Sequence, residues 1–217
     1  MLEVMASFPF ILGGAGITIV VILVSLPIGF AMGLLLALAR THGPSLVSRI
    51  ATLYGMAMRG VPPVALLFLI YFVIAGSINV SPFLAGTIGL AIISSSYQME
   101  VFRGGIQAVG AGQEIAARAI GLSRSQAIMH IVLPQALRLS LPAWSSTVAS
   151  LIKESALVYV LGVPELLRRA SLVAARTYNP LIAYSTAAVL YFLMTLLATR
   201  SLAALEKKTR IPSLAER

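Results

Sequence analysis

The stretch from Ile17 to Ala39 reads ITIVVILVSLPIGFAMGLLLALA and contains no charged residue. A helix needs about 20 mostly apolar residues to cross the hydrocarbon core of a membrane. This run is long enough to do so. It therefore predicts a membrane-spanning helix near the N-terminus.

The composition of the whole chain agrees with this first helix. Of the 217 residues, 59% are hydrophobic and only 11% are charged, and the mean hydropathy is +0.95. An average soluble domain has about 25% charged residues. A water-soluble domain of this size has too much surface to hide so many apolar side chains. The composition predicts an all-α membrane protein.

Five segments meet the length and apolarity of a membrane span. Their backbone groups must be satisfied within each segment, so helices are expected. Pro27 and the pair Pro62-Pro63 are expected to kink or break their helices. Gly29 and Gly33 form a Gly-xxx-Gly pair that allows close helix contact, whether for a special interface or for ordinary packing. The segments cover approximately 15–39, 53–75, 83–103, 139–162 and 181–203, within a single transmembrane domain 1–217.

The N-terminus could be mistaken for a secretory signal, because Ala37-Leu38-Ala39 resembles a cleavage box. A signal peptide begins with positive charges, whereas residues 1–13 carry only Glu3. The apolar run is also too long for the core of a signal peptide. We therefore expect an uncleaved first span.

The distribution of Lys and Arg predicts the orientation. With the N-terminus outside, eleven of them fall on the cytoplasmic side and three on the outer side. Cytoplasmic loops carry an excess of positive residues, so this bias favours an outside N-terminus and a cytoplasmic C-terminus. The cytoplasmic set is Arg40, Arg49, Arg103, Arg118, Arg124, Arg138, Arg200, Lys207, Lys208, Arg210 and Arg217, and the outer set is Arg168, Arg169 and Arg176.

The longest interruption between spans, 104–138, contains the sequence GQEIAARAIGLSRSQAIMHIVLPQALR. Apolar residues recur in it at helical spacing. Gly121 can end one helix in a left-handed conformation, and Ser123 can cap the next. We expect a helix–Gly–helix hairpin on the cytoplasmic face that ends at Leu133-Pro134. A second short helix, between Glu165 and Arg176, is expected on the outer side.

The sequence lacks the features that are typical of several other function classes. The chain has no Cys, and His42 and His130 have no acidic residue beside them to complete a metal or catalytic site. The net charge of +9 is not accompanied by alternating basic and aromatic residues, which disfavours nucleic-acid binding. No phosphate loop of the type Gly-x-x-x-x-Gly-Lys-Ser/Thr occurs. We therefore expect no enzyme, no metal and no bound cofactor.

The hairpin resembles the EAA loop of permease subunits of binding-protein-dependent ABC importers. It carries Glu114-Ile115-Ala116-Ala117 and Gly121, followed by Ile131-Val132-Leu133-Pro134. Two residues depart from the family pattern. Ile115 in the hairpin stands where that family usually has Glu, and Val61 in the second span stands where it commonly has a hydroxyl residue. Further segments resemble the polar amino acid branch in the same order: 59–62 (RGVP), 97–106 (YQMEVFRGGI), 133–138 (LPQALR) and 153–157 (KESAL).

The resemblance implies a type I ABC importer permease in the bacterial inner membrane, moving polar or basic amino acids by alternating access. It implies a second permease, identical or paralogous, two ATPase subunits that hold ATP and Mg²⁺, and an external amino-acid-binding protein. The alternative is an ATP-independent secondary transporter or channel. A self-sufficient carrier typically has inverted repeats, and none is detectable.

The resemblance also implies that the hairpin couples the spans to the ATPase. A compact helix with small residues can lie in a groove of a partner protein. The alternative is an interfacial helix on lipid headgroups. The residues expected to couple are Glu114, Ala116, Ala117, Arg118, Gly121 and Leu122.

Charged residues inside predicted spans indicate a substrate pathway, because burying a charge in a membrane is costly. We expect Glu154 and Glu100 to meet a substrate ammonium or basic side chain, and Lys153 or Arg103 to meet its carboxylate. The alternative is a structural Glu100–Arg103 ion pair. The helix break at Arg59, Gly60 and Val61 either contacts ligand or is a plain proline kink. The remaining candidate pathway residues are Ser96, Thr147 and Ser150.

Overall fold

The computed structural model describes residues 6–77 and 80–209. Glu3, Arg210 and Arg217, which entered the predictions above, lie outside the described residues. Within the described ranges every regular element is helical and no strand occurs. The α-helices are α1 Phe8–His42, α2 Ser45–Gly60, α3 Pro63–Ser77, α4 Pro82–Ala108, α5 Ala111–Ala119, α6 Arg124–Ala127, α7 Leu133–Glu154, α8 Leu166–Thr177 and α9 Pro180–Thr209.

The first helix, α1, is longer than the predicted span and runs without a break through Pro27. Of the kink or break predicted at this proline, the break is therefore absent. A proline removes one backbone hydrogen bond, and packing against neighbouring helices can make this tolerable inside a membrane. The polar groups around it are in fact used in packing, since the Ser25 hydroxyl donates to the Thr87 carbonyl of α4 at 2.9 Å.

The predicted break at Pro62-Pro63 is confirmed. Helix α2 ends at Gly60, Val61 is extended, and α3 begins at Pro63. The two helices are bent by 112° relative to each other, so the predicted segment 53–75 is not one straight helix. Proline cannot donate a backbone hydrogen bond and disfavours a helical residue before it, and two in succession make a break difficult to avoid.

Helix α4 is the central element and packs against α1, α2, α3 and α7. Its neighbours approach closely where side chains are small. A Cβ on Gly33 would lie 2.8 Å from the Gln98 Cβ and 2.9 Å from the Ser95 carbonyl oxygen, and one on Gly29 would also collide with Gln98. The Gly29–Gly33 pair thus serves packing within the chain, as close-packed membrane helices require.

The segment after α4 forms two short helices joined by a turn. Gly121 has a φ of +93° and Ser123 caps α6 in a capping box with Gln126, as their sequence positions predict. The predicted end at Leu133-Pro134 is wrong. A π-helical turn, Ile128–Val132, precedes α7, and the Leu133 N–H donates to the Ile128 carbonyl. This wider turn leads the chain directly into α7 and accommodates Pro134, which has no N–H to donate to the preceding turn.

The last part of the chain packs against the first helix. A 3₁₀ segment, Ser155–Leu161, leads through Gly162 into α8, which packs across the first half of α1 and against α9. The contact is apolar, with Ile11, Leu166 and Ala183 buried at its centre. Helix α8 matches the short helix predicted between Glu165 and Arg176.

By length and apolarity, α1 and α9 each suffice to cross a membrane. Two bent pairs, α2 with α3 and the 124–161 stretch with α8, raise the number of candidate spans to four. Helix α4 contains the predicted span 83–103, but its most apolar stretch is less apolar than those of α1 and α9. Many of its polar side chains, such as Ser94, Ser95 and Ser96, are buried against other helices. Exposed apolar side chains cover the outer surfaces of α1 and α9, including Leu23, Leu35, Leu181, Phe192 and Leu197.

The contact between α1 and α4 gives a direct test. We expect Gly33→Ala to destabilise the chain by about 1–2 kcal/mol, since overpacking outweighs the gain in helix propensity. Gly16→Ala is the matched control, because a Cβ there meets nothing within 4 Å. Thermal unfolding in mild detergent measures both. Equal stability of the two variants contradicts the tight contact.

Candidate functional site

A polar pocket lies between α4 and α7. It has a volume of about 170 Å³ and is lined by Ser94, Tyr97, Ser146, Thr147, Ser150 and Glu154. Four hydroxyl-bearing side chains, a phenol and one carboxylate thus converge on a single cavity. Three of the predicted pathway residues, Glu154, Ser150 and Thr147, are together in it. The arrangement can accept hydrogen bonds from a cationic or polar group and offers one negative charge.

The structure places two other predicted pathway residues outside this pocket. Ser96 is buried on another side of α4, where its hydroxyl donates to the Ile93 carbonyl and its own carbonyl accepts from Arg59. Lys153 is exposed and does not line the pocket. In an α-helix each residue is rotated by about 100° from the last, so Ser94 and Ser96 lie on nearly opposite faces.

Ser94 and Tyr97 were not predicted. Their three-residue spacing puts them on the same helical face, which is the signal that could have identified them. A buried side chain supports this face from behind: Gln98 donates to the Ser94 hydroxyl at 3.0 Å and accepts from the Trp144 indole at 2.8 Å. The wall of the pocket is therefore fixed by one hydrogen bond within α4 and one between α7 and α4.

Glu100 lies in a different environment, at the centre of an arginine cluster. One carboxylate oxygen accepts from Arg40 and from Arg59 at 2.7 Å, and the other accepts from Arg103 at 2.8 Å. The i, i+3 ion pair with Arg103 is thus present, as the structural alternative predicted. The cluster joins α1, α2 and α4, and Glu100 does not line the pocket that contains Glu154.

The break between α2 and α3 is open on the surface of the chain. Gly60 and Val61 are exposed, and a Cβ on Gly60 meets nothing within 4 Å. Arg59, by contrast, points inward, where it donates to the Ser96 carbonyl at 2.9 Å and to Glu100. The three residues predicted at this break are therefore divided between an internal ion-pair cluster and an exposed bend.

The segment between α4 and α7 carries a broad groove of about 800 Å³. Of the predicted coupling residues, Glu114, Arg118, Gly121 and Leu122 line it, Ala116 is exposed, and Ala117 is buried against the chain itself. Two apolar side chains also project from this segment, with Ile115 67% and Ile120 80% exposed. Such exposure of isoleucine indicates a surface that a partner can cover.

The carboxylate of Glu114 makes contacts within the chain. It lies 3.7 Å from the His42 imidazole at the end of α1 and 3.7 Å from the Arg124 guanidinium at the start of α6. An acidic residue in this position therefore links the short helices to the first span. The side chain that replaces the usual glutamate, Ile115, points outward.

The sequence is similar to those of known membrane transport proteins. Residues 25–211 match the family described as "Binding-protein-dependent transport system inner membrane component". The chain belongs to this family. The permease is 36% identical to a probable amino-acid ABC transporter permease protein, YckA, of Bacillus subtilis strain 168, over 93% of this chain and 90% of that protein. It is 32% identical to the glutamine transport system permease protein of Escherichia coli K12, over 94% and 95% of the two chains.

The permease also resembles a solved structure. A chain from the crystal structure of an amino acid ABC transporter with histidines matches with a TM-score of 0.85 and 34% identity, covering 95% of this chain and 97% of that one. The likeness extends through the whole helical arrangement. The family match favours a permease subunit of an ABC importer over an ATP-independent carrier.

One buried acid of the permease was not predicted as a site residue. Glu165 is fully buried, its carboxylate accepts from the Leu167 and Arg168 backbone N–H groups, and the Tyr191 hydroxyl donates to it at 2.7 Å. Glutamate just before a helix in the sequence PELLRR is a capping signal. With three donors on one carboxylate, Glu165 secures α8 to α9 and has a structural role.

We expect Glu100→Gln to destabilise the permease by about 1–3 kcal/mol, because three guanidinium groups lose their shared counter-charge. Glu114→Gln is the control, and it should change stability by less than about 1 kcal/mol since it loses only two 3.7 Å contacts. Thermal unfolding of the purified variants in detergent compares them. If Glu100→Gln unfolds at the wild-type temperature, the cluster does not stabilise the fold.

Proposed function

We propose that the permease carries polar or basic amino acids inward across the bacterial inner membrane, and that Glu154 is the acidic contact for the substrate on its path. The single observation that carries this proposal is the pocket in which Glu154 is the only charged residue among five neutral polar side chains. A charge held in such a position is costly and is typical of a substrate or ion pathway.

The chemistry of the pocket suits an ammonium or guanidinium group. Glu154 supplies the counter-charge, and the hydroxyls of Ser94, Thr147 and Ser150 supply acceptors for the remaining N–H donors. Lys153 is the better candidate for the substrate carboxylate, since it is exposed beside Glu154, whereas Arg103 belongs to the Glu100 cluster and does not line this pocket. The relatives agree with this class: one is named for glutamine and one structure for histidines.

The pocket of one chain is smaller than a complete ligand site. Sites for small molecules typically enclose about 300–1,000 Å³, whereas this pocket measures about 170 Å³. The bend at Gly60 and Val61 is also exposed, and no element among the described residues covers it. Both features support a working unit of two permease chains, identical or paralogous, with the path between them.

The topology that fits this function has five spans in one transmembrane domain. The two bent pairs count as spans, and α4 is the fifth, surrounded by the others. The excess of Lys and Arg supports an outside N-terminus and a cytoplasmic C-terminus. The short helices α5 and α6 then face the cytoplasm.

The energy for transport comes from other polypeptides. The chain carries no phosphate loop of the Gly-x-x-x-x-Gly-Lys-Ser/Thr type, so ATP and Mg²⁺ belong to two ATPase subunits, and the substrate is delivered by an external binding protein. The exposed side chains of Ile115 and Ile120 form the contact with the ATPase, in a helix-in-groove mode. Movement of α5 and α6 then reaches α7 through the continuous π-helical turn.

The acidic contact is tested by uptake of labelled arginine, histidine and glutamine through the reconstituted transporter. We expect Glu154→Gln to lower uptake of arginine about tenfold or more, because a hydrogen-bonded charge is lost from a desolvated site. Glu206→Gln, in the last helix and outside the pocket, should transport like the wild type. Unchanged uptake and an unchanged preference in Glu154→Gln would exclude a role for this carboxylate.

The coupling surface is tested separately with Ile120→Asp, which places a charge in the apolar contact. Because burying an unpaired carboxylate is costly, we expect stimulation of ATP hydrolysis by the loaded binding protein to be lost and co-purification of the ATPase to be weakened. Met129→Asp is the control, since Met129 is also exposed but lies in the π-helical turn, outside the 115–120 stretch. Normal stimulation in Ile120→Asp contradicts the proposed contact.

A further inference from the structure

A second polar cavity, separate from the pocket of Glu154, lies where α1 and α4 end and α5 begins. It has a volume of about 550 Å³ and exposes more polar than apolar surface. None of the residues of the Glu154 pocket lines it. Its lining includes Arg40, His42, Ser48, Arg103, Gln107 and Glu114.

The charges behind this cavity do not balance. Arg40, Arg59 and Arg103 share the single carboxylate of Glu100, so the cluster has a net charge of +2. All four side chains are between 22% and 29% exposed, and their charges are therefore only partly hydrated. Positive charges that are partly withdrawn from water require a counter-charge, and the carboxylate present provides one of three.

Two of these arginines reach the cavity with unused donors. A guanidinium group has five N–H donors. Among the described residues Arg40 uses one of them, to Glu100, and Arg103 uses two, to Glu100 and Gln107. The hydroxyls of Thr41 and Ser48 donate to backbone carbonyls, so the guanidinium groups are the main donors that remain.

The other titratable groups of the cavity do not cancel this charge. Glu114 also faces it, but its carboxylate lies 3.7 Å from both His42 and Arg124. The negative charge of Glu114 is thus balanced by Arg124 of α6, and His42, the last residue of α1, lies beside the same carboxylate. The excess positive charge at Arg40 and Arg103 is left for a ligand.

We propose that this cavity binds a phosphate group, carried either by the headgroup of an anionic phospholipid or by a soluble phosphate. Planar guanidinium groups match phosphate oxygens in geometry and charge. Arg40 follows directly on the apolar run that ends at Ala39, the depth at which phospholipid headgroups lie. Beside Ser48, the side chains of Leu46, Val47 and Ile50 are exposed and offer a surface to acyl chains.

The first experiment uses the full chain in nanodiscs of phosphatidylcholine with a minor fraction of phosphatidylglycerol, followed by native mass spectrometry after release into detergent. The wild type is expected to retain phosphatidylglycerol selectively. Arg40→Gln should retain it about tenfold less, because a charge-assisted hydrogen bond is lost. Arg49→Gln is the matched control: it removes the same charge from an exposed residue of α2 that does not line the cavity.

A second variant separates binding from folding. Ala111 lines the cavity at the first position of α5, where an acidic residue is favourable to the helix. Ala111→Asp therefore keeps the fold and adds a negative charge to the cavity. It should lose the phosphate ligand as Arg40→Gln does, with an unfolding temperature close to that of the wild type.

The source of the phosphate is decided by titrating inorganic phosphate into the same proteins in pure phosphatidylcholine nanodiscs, observed by ³¹P NMR. Selective retention of phosphatidylglycerol without a response to inorganic phosphate assigns a lipid ligand. A response of the wild type that Ala111→Asp lacks assigns a soluble one. The proposal is overturned if the wild type binds neither probe, or if Ala111→Asp binds whichever probe the wild type binds as well as the wild type does.

Discussion

The close approach of α1 to α4 is the contact on which the rest of the structure depends. Inside a membrane there is no hydrophobic gain in bringing two apolar helices together, so association relies on packing and on hydrogen bonds between helices. Both are present here. Gly29 and Gly33 leave no room for a side chain against α4, and Ser25 donates to the Thr87 carbonyl. Because α4 also contacts α2, α3 and α7, its position on α1 fixes theirs.

The polar residues of α4 are divided by this arrangement into two groups with different environments. Ser94 and Tyr97 face α7 and form the pocket with Glu154. Glu100 and Arg103 face α1 and α2, where Arg40 and Arg59 complete an ion-pair cluster. One helix thus separates the site proposed for substrate from the site proposed for phosphate. The single carboxylate among hydroxyl groups supports the first proposal, and the unbalanced charge of the cluster supports the second.

The hairpin region shows how local signals and longer-range geometry combine. Gly121 and Ser123 have the conformation and cap that their residue types favour, since a left-handed turn and an N-cap depend on neighbours only a few residues away. The continuation of the helix through Leu133-Pro134 depends on a π-helical turn that no propensity indicates. As a result the short helices are joined mechanically to α7, the helix that carries Glu154.

The sequence by itself determined the membrane environment and the all-helical fold, because both follow from the length of the apolar segments. It also determined the helix break, through Pro62-Pro63, and the family, through the order of its motifs along the chain. It selected Glu154, Ser150 and Thr147 as candidate pathway residues, which the structure brings to one pocket. It did not place Ser94 in that pocket, separate Glu100 from Glu154, or bring Arg40 and Arg59 to Glu100. Arg59 and Arg40 are 41 and 60 positions from Glu100 in the chain, and their contacts with it depend on which faces of the helices meet, which only the tertiary structure decides.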